Sequence, residues 1–75
     1  MTKNEKQVLW IIINNKFQEL YPDMGQLEDL DWSGAFEMTL ERAMDTSLAL
    51  RVHSWDTLWN TFYAQFRKEF NYYFG

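Results

Sequence analysis

The chain has 75 residues and no cysteine, and its 7 basic and 11 acidic side chains give it a formal net charge of -4. The lack of thiols excludes disulfides, thiolate chemistry and the common structural zinc sites. A domain of this size buries only about 60% of the surface that its unfolded chain exposes, but 4 Trp, 4 Tyr and 6 Phe supply enough apolar bulk for one domain spanning residues 1–75.

The first predicted helix covers residues 3–21. Thr2 lies three residues before Glu5, which is the spacing of a reciprocal cap at a helix start, and Pro22 disfavours helical geometry at the residue before it. The segment Val8–Ile13 is also rich in the β-branched and aromatic residues that strands favour, but the sequence has no second such segment to pair with it. The spacing of the apolar residues therefore favours a helix. The residues that recur at helical spacing are Leu9, Trp10, Ile13, Phe17, Leu20 and Tyr21.

Two more helices are predicted, near residues 34–50 and 55–73, with Ser33 and Ser54 as their N-caps. The linker before them has room for one extra helical turn near residues 26–31. The sequence therefore predicts an all-α fold, a small three-helix bundle with short loops. The apolar face of the second helix is formed by Phe36, Leu40, Ala43, Met44 and Leu48, and that of the third by a broad stripe of Trp55, Leu58, Trp59, Phe62, Tyr63, Phe66, Phe70, Tyr73 and Phe74.

No group of residues in the sequence predicts catalysis. His53 is the single histidine, and a metal site would need further ligands that converge on it. Ser33 and Ser54 are explained as helix caps, and Ser47 is expected inside the second helix. Since no Gly-rich loop precedes a Lys-Ser or Lys-Thr pair either, we expect no enzymatic activity, no metal site and no cofactor.

Acidic residues are concentrated in the middle of the chain. Residues 17–50 hold eight acidic residues against one basic residue, whereas both flanking segments have a small basic excess. Glu37, Glu41 and Asp45 recur there at steps of four, although like charges at that spacing on a helix repel by about 0.2 to 0.5 kcal/mol per contact. Two explanations stay open: a solvated face that keeps an aromatic-rich protein in solution, and a surface that recognises a basic partner.

Our functional prediction is a small acidic interaction module, an inhibitor or adaptor that docks one helix face on a basic partner protein. A nucleic-acid-binding protein would be one such partner, with the acidic face mimicking DNA. Carboxylates four residues apart on a helix are about 6 Å apart, whereas duplex DNA carries one negative charge per about 1.7 Å of its axis. One row of carboxylates therefore has a much lower charge density than DNA. The predicted partner-binding residues are Glu37, Glu41, Asp45, Glu28, Asp29 and Asp31.

The alternative is a homodimer that associates through the aromatic third helix and the apolar residues outside the main stripe of the first helix. Val8, Ile11 and Ile12 lie outside that stripe, and these helices together carry more apolar surface than a minimal bundle core needs. The predicted apolar interface consists of Val8, Ile12, Tyr63 and Tyr72.

Direct nucleic-acid binding and membrane binding are both disfavoured. Phosphate recognition depends on basic residues, which are outnumbered in this chain. The longest apolar segment, Val8–Ile13, is far shorter than a membrane span, and no leader opens the chain. We therefore expect a soluble, cytoplasmic protein without a membrane partner. A basic patch could still form if the first and third predicted helices pack side by side. Its members would be Lys3, Lys6, Lys16, Arg67 and Lys68.

Overall fold

The computed structural model describes residues 1–22 and 31–74, with side chains described as far as residue 69. Within these ranges the chain is helical and contains no strand, so the predicted all-α class is confirmed and the segment Val8–Ile13 is helical. The predicted turn near residues 26–31 lies outside the described residues except for Asp31. The helices are α1 (Lys3–Leu20), α2 (Trp32–Thr46), α3 (Leu48–Arg51) and α4 (Trp55–Phe74).

The beginning and end of α1 follow from local sequence. The Thr2 hydroxyl accepts a hydrogen bond from the Glu5 amide at 3.1 Å, as predicted for a cap. The Glu5 carboxylate is directed to His53 instead of completing a reciprocal cap. The helix ends at Leu20, where Tyr21 leaves helical geometry just before Pro22.

The predicted start of α2 is wrong by two residues, and Ser33 is not its N-cap. The N-cap is Asp31, whose carbonyl oxygen accepts from the Ala35 amide at 2.8 Å. The Ser33 hydroxyl lies inside the first turn and donates to the Asp31 carboxylate at 3.2 Å. Gly34 permits this arrangement, because a Cβ at that position would lie 2.7 Å from Asp31 Oδ2.

The predicted end of α2 is also wrong, because the helix ends at Thr46 and not at residue 50. Ser47 has an extended backbone, with φ -129° and ψ 115°, so it interrupts the helix that was expected to contain it. The short helix α3 then begins at Leu48. Leu48 therefore does not join the apolar face of α2, and 75% of its surface is exposed.

The cap of the last long helix was predicted correctly. The Ser54 hydroxyl accepts from the Thr57 amide at 3.2 Å, and α4 begins at Trp55. Asp56 lies in the first turn, where a carboxylate favours the amide-rich end of the helix.

The core is formed where α1, α2 and α4 meet, and phenylalanine rings dominate it. Phe66 of α4 lies 4.9 Å from Phe17 of α1 and 5.0 Å from Phe36 of α2, measured between ring centroids. Each such ring gains about 1.5 to 3 kcal/mol from burial. Contacts pair residue 10 with residue 62 and residue 17 with residue 66, so α1 and α4 run in the same direction. The buried apolar residues are Leu9, Ile13, Phe17, Ala35, Phe36, Leu40, Ala43, Leu50, Leu58, Phe62 and Phe66.

Candidate functional site

Three carboxylates form a line on the outer face of α2, and we call Glu37, Glu41 and Asp45 the acidic stripe. All three side chains are exposed. The buried positions of the same helix, among them Phe36 and Leu40, face α1 and α4. Since successive members are four residues apart, the stripe runs along the helix with about 6 Å between neighbouring positions.

No basic side chain neutralises the acidic stripe within the described part of the chain. The ion pairs found there join Lys16 to Glu19 and His53 to Glu5. Arg51 reaches the end of α2, but its guanidinium donates to the main-chain oxygens of Met44 and Asp45 at 2.6 and 2.5 Å and not to a carboxylate of the stripe. The carboxylates of the stripe are therefore available to an external cation.

The remaining predicted acidic residues are not part of this line. Asp31 is exposed, but it lies at the N-cap of α2 and its carboxylate accepts from Ser33. Glu28 and Asp29 lie outside the described residues. The structure therefore brings together three of the six residues predicted for partner binding.

The predicted apolar interface is divided between exposed and packed residues. Val8 is 54% exposed on the outer face of α1, whereas Ile12 packs against the core. Tyr63 stacks on Trp59 at 4.9 Å and also packs on the core, and the Tyr72 side chain lies outside the described residues. Ile11, which was not in the predicted interface, is 56% exposed beside Val8.

His53 holds the turn before α4 against the start of α1. Its Nε2 lies 2.5 Å from Glu5 Oε1, and both side chains are partly exposed. No group of three His, Cys, Asp or Glu side chains in the described residues is close enough to hold a metal ion. The contact between His53 and Glu5 joins parts of the chain that are 48 residues apart.

Three residues of the predicted aromatic stripe form a row of stacked rings on α4, and of these the sequence assigned only Tyr63 to an interface. Trp55, Trp59 and Tyr63 lie one turn apart, with centroid distances of 6.1 and 4.9 Å along the row. All three are partly exposed, and Phe36 of α2 supports the row at 5.0 Å from Trp59. Phe36 thus joins the aromatic row to α2, the helix that carries the acidic stripe on its exposed face. The i, i+4 spacing was the signal that could have revealed the row.

A groove lined by basic instead of acidic side chains lies between α1 and α4, and we call it the α1/α4 groove. Its volume is 350 Å³. The predicted basic patch is not continuous there, because Lys16 pairs with Glu19 and the Arg67 guanidinium lies 5.8 Å from the Trp32 ring centroid. The groove is lined by Lys3, Lys6, Gln7, Trp10, Ile11 and Gln65.

Comparison of the chain with protein-family models, curated proteins and solved structures finds no significant match. Across residues 1–22 and 31–74, none of the helices has both the length and the apolar composition needed to cross a membrane.

Proposed function

We propose that this protein is a small interaction module that docks its acidic stripe on a basic partner protein and thereby inhibits or bridges that partner. The observation that carries the proposal is the line of Glu37, Glu41 and Asp45, exposed on one helix face and unpaired within the described residues. A nucleic-acid-binding protein has the kind of basic surface that such a line complements.

The stripe is presented by a helix that packs firmly on the rest of the molecule. Phe36, Leu40 and Ala43 are fully buried on the opposite side of α2. A fixed helix holds the carboxylates in place before binding, so little conformational entropy is lost on association. Repulsion within the stripe costs little, while complementary charge speeds and orients the encounter with a partner.

The aromatic row suggests that arginine is the preferred partner residue. A guanidinium can pair with a carboxylate and also stack on an aromatic face, whereas an ammonium is a more strongly hydrated point charge. Trp59 and Tyr63 are partly exposed next to the helix that carries Glu37. The proposed partner surface is therefore rich in arginine.

The test uses affinity capture from the native host with two matched variants as baits. One is Glu37→Lys with Glu41→Lys, and the other is Glu19→Lys with Glu69→Lys, which changes the net charge equally at exposed positions outside the stripe. We expect wild type and the control to retain a basic protein that the stripe variant loses, and we expect added salt to weaken wild-type capture steeply. Equal capture by both variants at low salt would contradict the proposal.

Self-association is the second candidate, because two neighbouring apolar side chains of α1 are more than half exposed. Val8 is 54% and Ile11 56% exposed, and no charged residue lies between Lys6 and Lys16. Light scattering at two protein concentrations tests this, with Val8→Gln and Ile11→Gln combined as the variant. A dimer that the variant abolishes would support association through α1, whereas a monomer at both concentrations rules it out.

A further inference from the structure

The α1/α4 groove has the size and lining of a small-ligand site. Its 350 Å³ falls within the range of about 300 to 1,000 Å³ that such sites occupy. We propose that this groove binds a small flat anion, a molecule with an aromatic ring that carries one carboxylate or one phosphate group. This site is separate from the acidic stripe and does not depend on the function proposed for it.

The apolar part of the groove is held in place by the core. Trp10 is partly exposed and stacks on Phe62 with a centroid distance of 6.4 Å and an interplanar angle of 21°. Phe62 is fully buried, so the indole ring has a fixed support. Ile11 adds an exposed aliphatic side chain to the lining. A flat ring placed against these side chains would lose apolar surface to water and gain stacking contact.

The charged part of the groove selects for an anion. Lys3 and Lys6 are three residues apart on α1, so their ammonium groups can reach the same ligand. Both are exposed, and in the described part of the chain neither takes part in an ion pair. The acidic residue nearest to them in sequence, Glu5, is engaged by His53. The two ammonium groups are therefore free to bind a carboxylate or a phosphate.

Polar groups on both helices can fix the orientation of such a ligand. Gln7 of α1 and Gln65 of α4 line the groove, and each side-chain amide can both donate and accept hydrogen bonds. They suit hydroxyl groups or ring nitrogens at the edge of a flat ring.

The number of cations favours a small ligand over a nucleic-acid strand. Two lysines line the groove, whereas proteins that bind duplex DNA through its backbone neutralise about 6 to 10 phosphates. The excess of acidic residues over the whole chain opposes a long polyanion further. A single anionic group matches the two lysines.

The experiment titrates the full-length, ¹⁵N-labelled protein separately with adenosine monophosphate and with indole-3-acetate at constant ionic strength. We expect saturable shifts of the Gln7 and Ile11 amides and of the Trp10 indole N–H with at least one probe. The probe that binds more tightly shows whether phosphate or carboxylate is the preferred anionic group.

Two charge-matched variants test whether the lysines hold the anion. Lys3→Gln with Lys6→Gln should weaken binding about tenfold, the combined effect of two lost charged contacts. Lys16→Gln with Arg42→Gln changes the net charge equally outside the groove and should change the affinity less than about twofold. Equal weakening by both variants would show a nonspecific charge effect and overturn the proposal.

Two further results bear on the same proposal. Ile11→Glu places a carboxylate at an exposed position of the groove, so it should abolish binding while the helical spectrum stays unchanged. The proposal is overturned if neither probe produces saturable shifts at millimolar concentration, or if only a short single-stranded oligonucleotide does so. Capture through the acidic stripe should survive the Lys3 and Lys6 substitutions, so the two proposals can fail independently.

Discussion

At the scale of single residues, Arg51 closes the end of α2 with a side chain that comes from α3. Its guanidinium donates to the Met44 and Asp45 oxygens, two of the carbonyls that a helix end leaves without partners. We predict that Arg51→Gln lowers the free energy of unfolding by about 1 kcal/mol, which for a domain of this size shifts Tm by about 4 to 8 °C. Thermal unfolding followed by circular dichroism measures the shift.

Arg42→Gln is the matched control for that prediction, because Arg42 is also an exposed arginine of the same region. A surface substitution without such bonds should stay within about 0.5 kcal/mol of wild type. If both variants unfold at the same temperature, the contacts of Arg51 contribute nothing to holding α2 in place.

At the scale of the helices, repulsion between the like charges of the acidic stripe lowers the stability of α2. We predict that Glu37→Gln, Glu41→Gln and Asp45→Asn together raise the free energy of unfolding by about 0.4 to 1 kcal/mol, because two like-charge contacts are removed. Asp45 also lies near the carbonyl-rich end of α2, where a negative charge is unfavourable. Urea unfolding at low salt measures the gain, which should shrink as salt is added.

Glu19→Gln serves as the control for the stripe, because Glu19 pairs with Lys16 and lies on α1. Its neutralisation should leave stability unchanged or slightly lower. A stripe variant that is less stable than wild type would mean that these carboxylates have a partner within the molecule and are not available to an external one.

The helix ends that could be predicted are those set by neighbouring residues. Thr2 and Ser54 cap their helices through contacts three residues away. The end of α2 could not be predicted, because it involves hydrogen bonds from the Arg51 guanidinium to carbonyl oxygens six and seven residues earlier in the chain. The contact of His53 with Glu5 spans 48 residues and has no local signal.

The two candidate surfaces also differ in whether neighbouring or distant residues form them. The acidic stripe lies within one helix, so its spacing was visible in the sequence. The α1/α4 groove needs Gln65 of one helix to lie beside Lys3 and Lys6 of another, and only packing shows this. The sequence could suggest that basic residues of the end helices meet, but it could not separate Lys16 and Arg67 from the groove.

At the scale of the whole molecule, charge is distributed so that the two surfaces can act separately. The acidic stripe lies on the outer face of α2. Phe36 of α2 packs against α4, and Phe17 of α1 packs against the same helix, so the inner side between α1 and α4 is filled by the core. The residues that line the groove belong to α1 and α4. A basic partner and a small anion would not compete for one site.

Both surfaces depend on one small core, so the molecule should unfold as a unit. Phe36 is fully buried and contacts Trp59, Tyr63 and Phe66 at ring-centroid distances of 5.0, 5.4 and 5.0 Å. Truncating a buried phenylalanine to alanine costs about 3 to 5 kcal/mol. A domain with about 0.05 to 0.15 kcal/mol of stability per residue has only about 4 to 11 kcal/mol in total at this length.

We therefore predict that Phe36→Ala removes about 3 to 5 kcal/mol, a large share of the total stability, whereas Ile11→Ala, at an exposed position of α1, changes stability by less than about 0.5 kcal/mol. Circular dichroism reports total helix content, and one-dimensional NMR reports the shifted ring and methyl signals of a packed core. Both signals should be lost together as Phe36→Ala is heated, and at a lower temperature than in wild type, because the buried residues of α1, α2 and α4 form one core cluster in the described part of the chain. Loss of the α2 contacts with native signals retained from α1 and α4 would show that these two helices form a stable unit without α2.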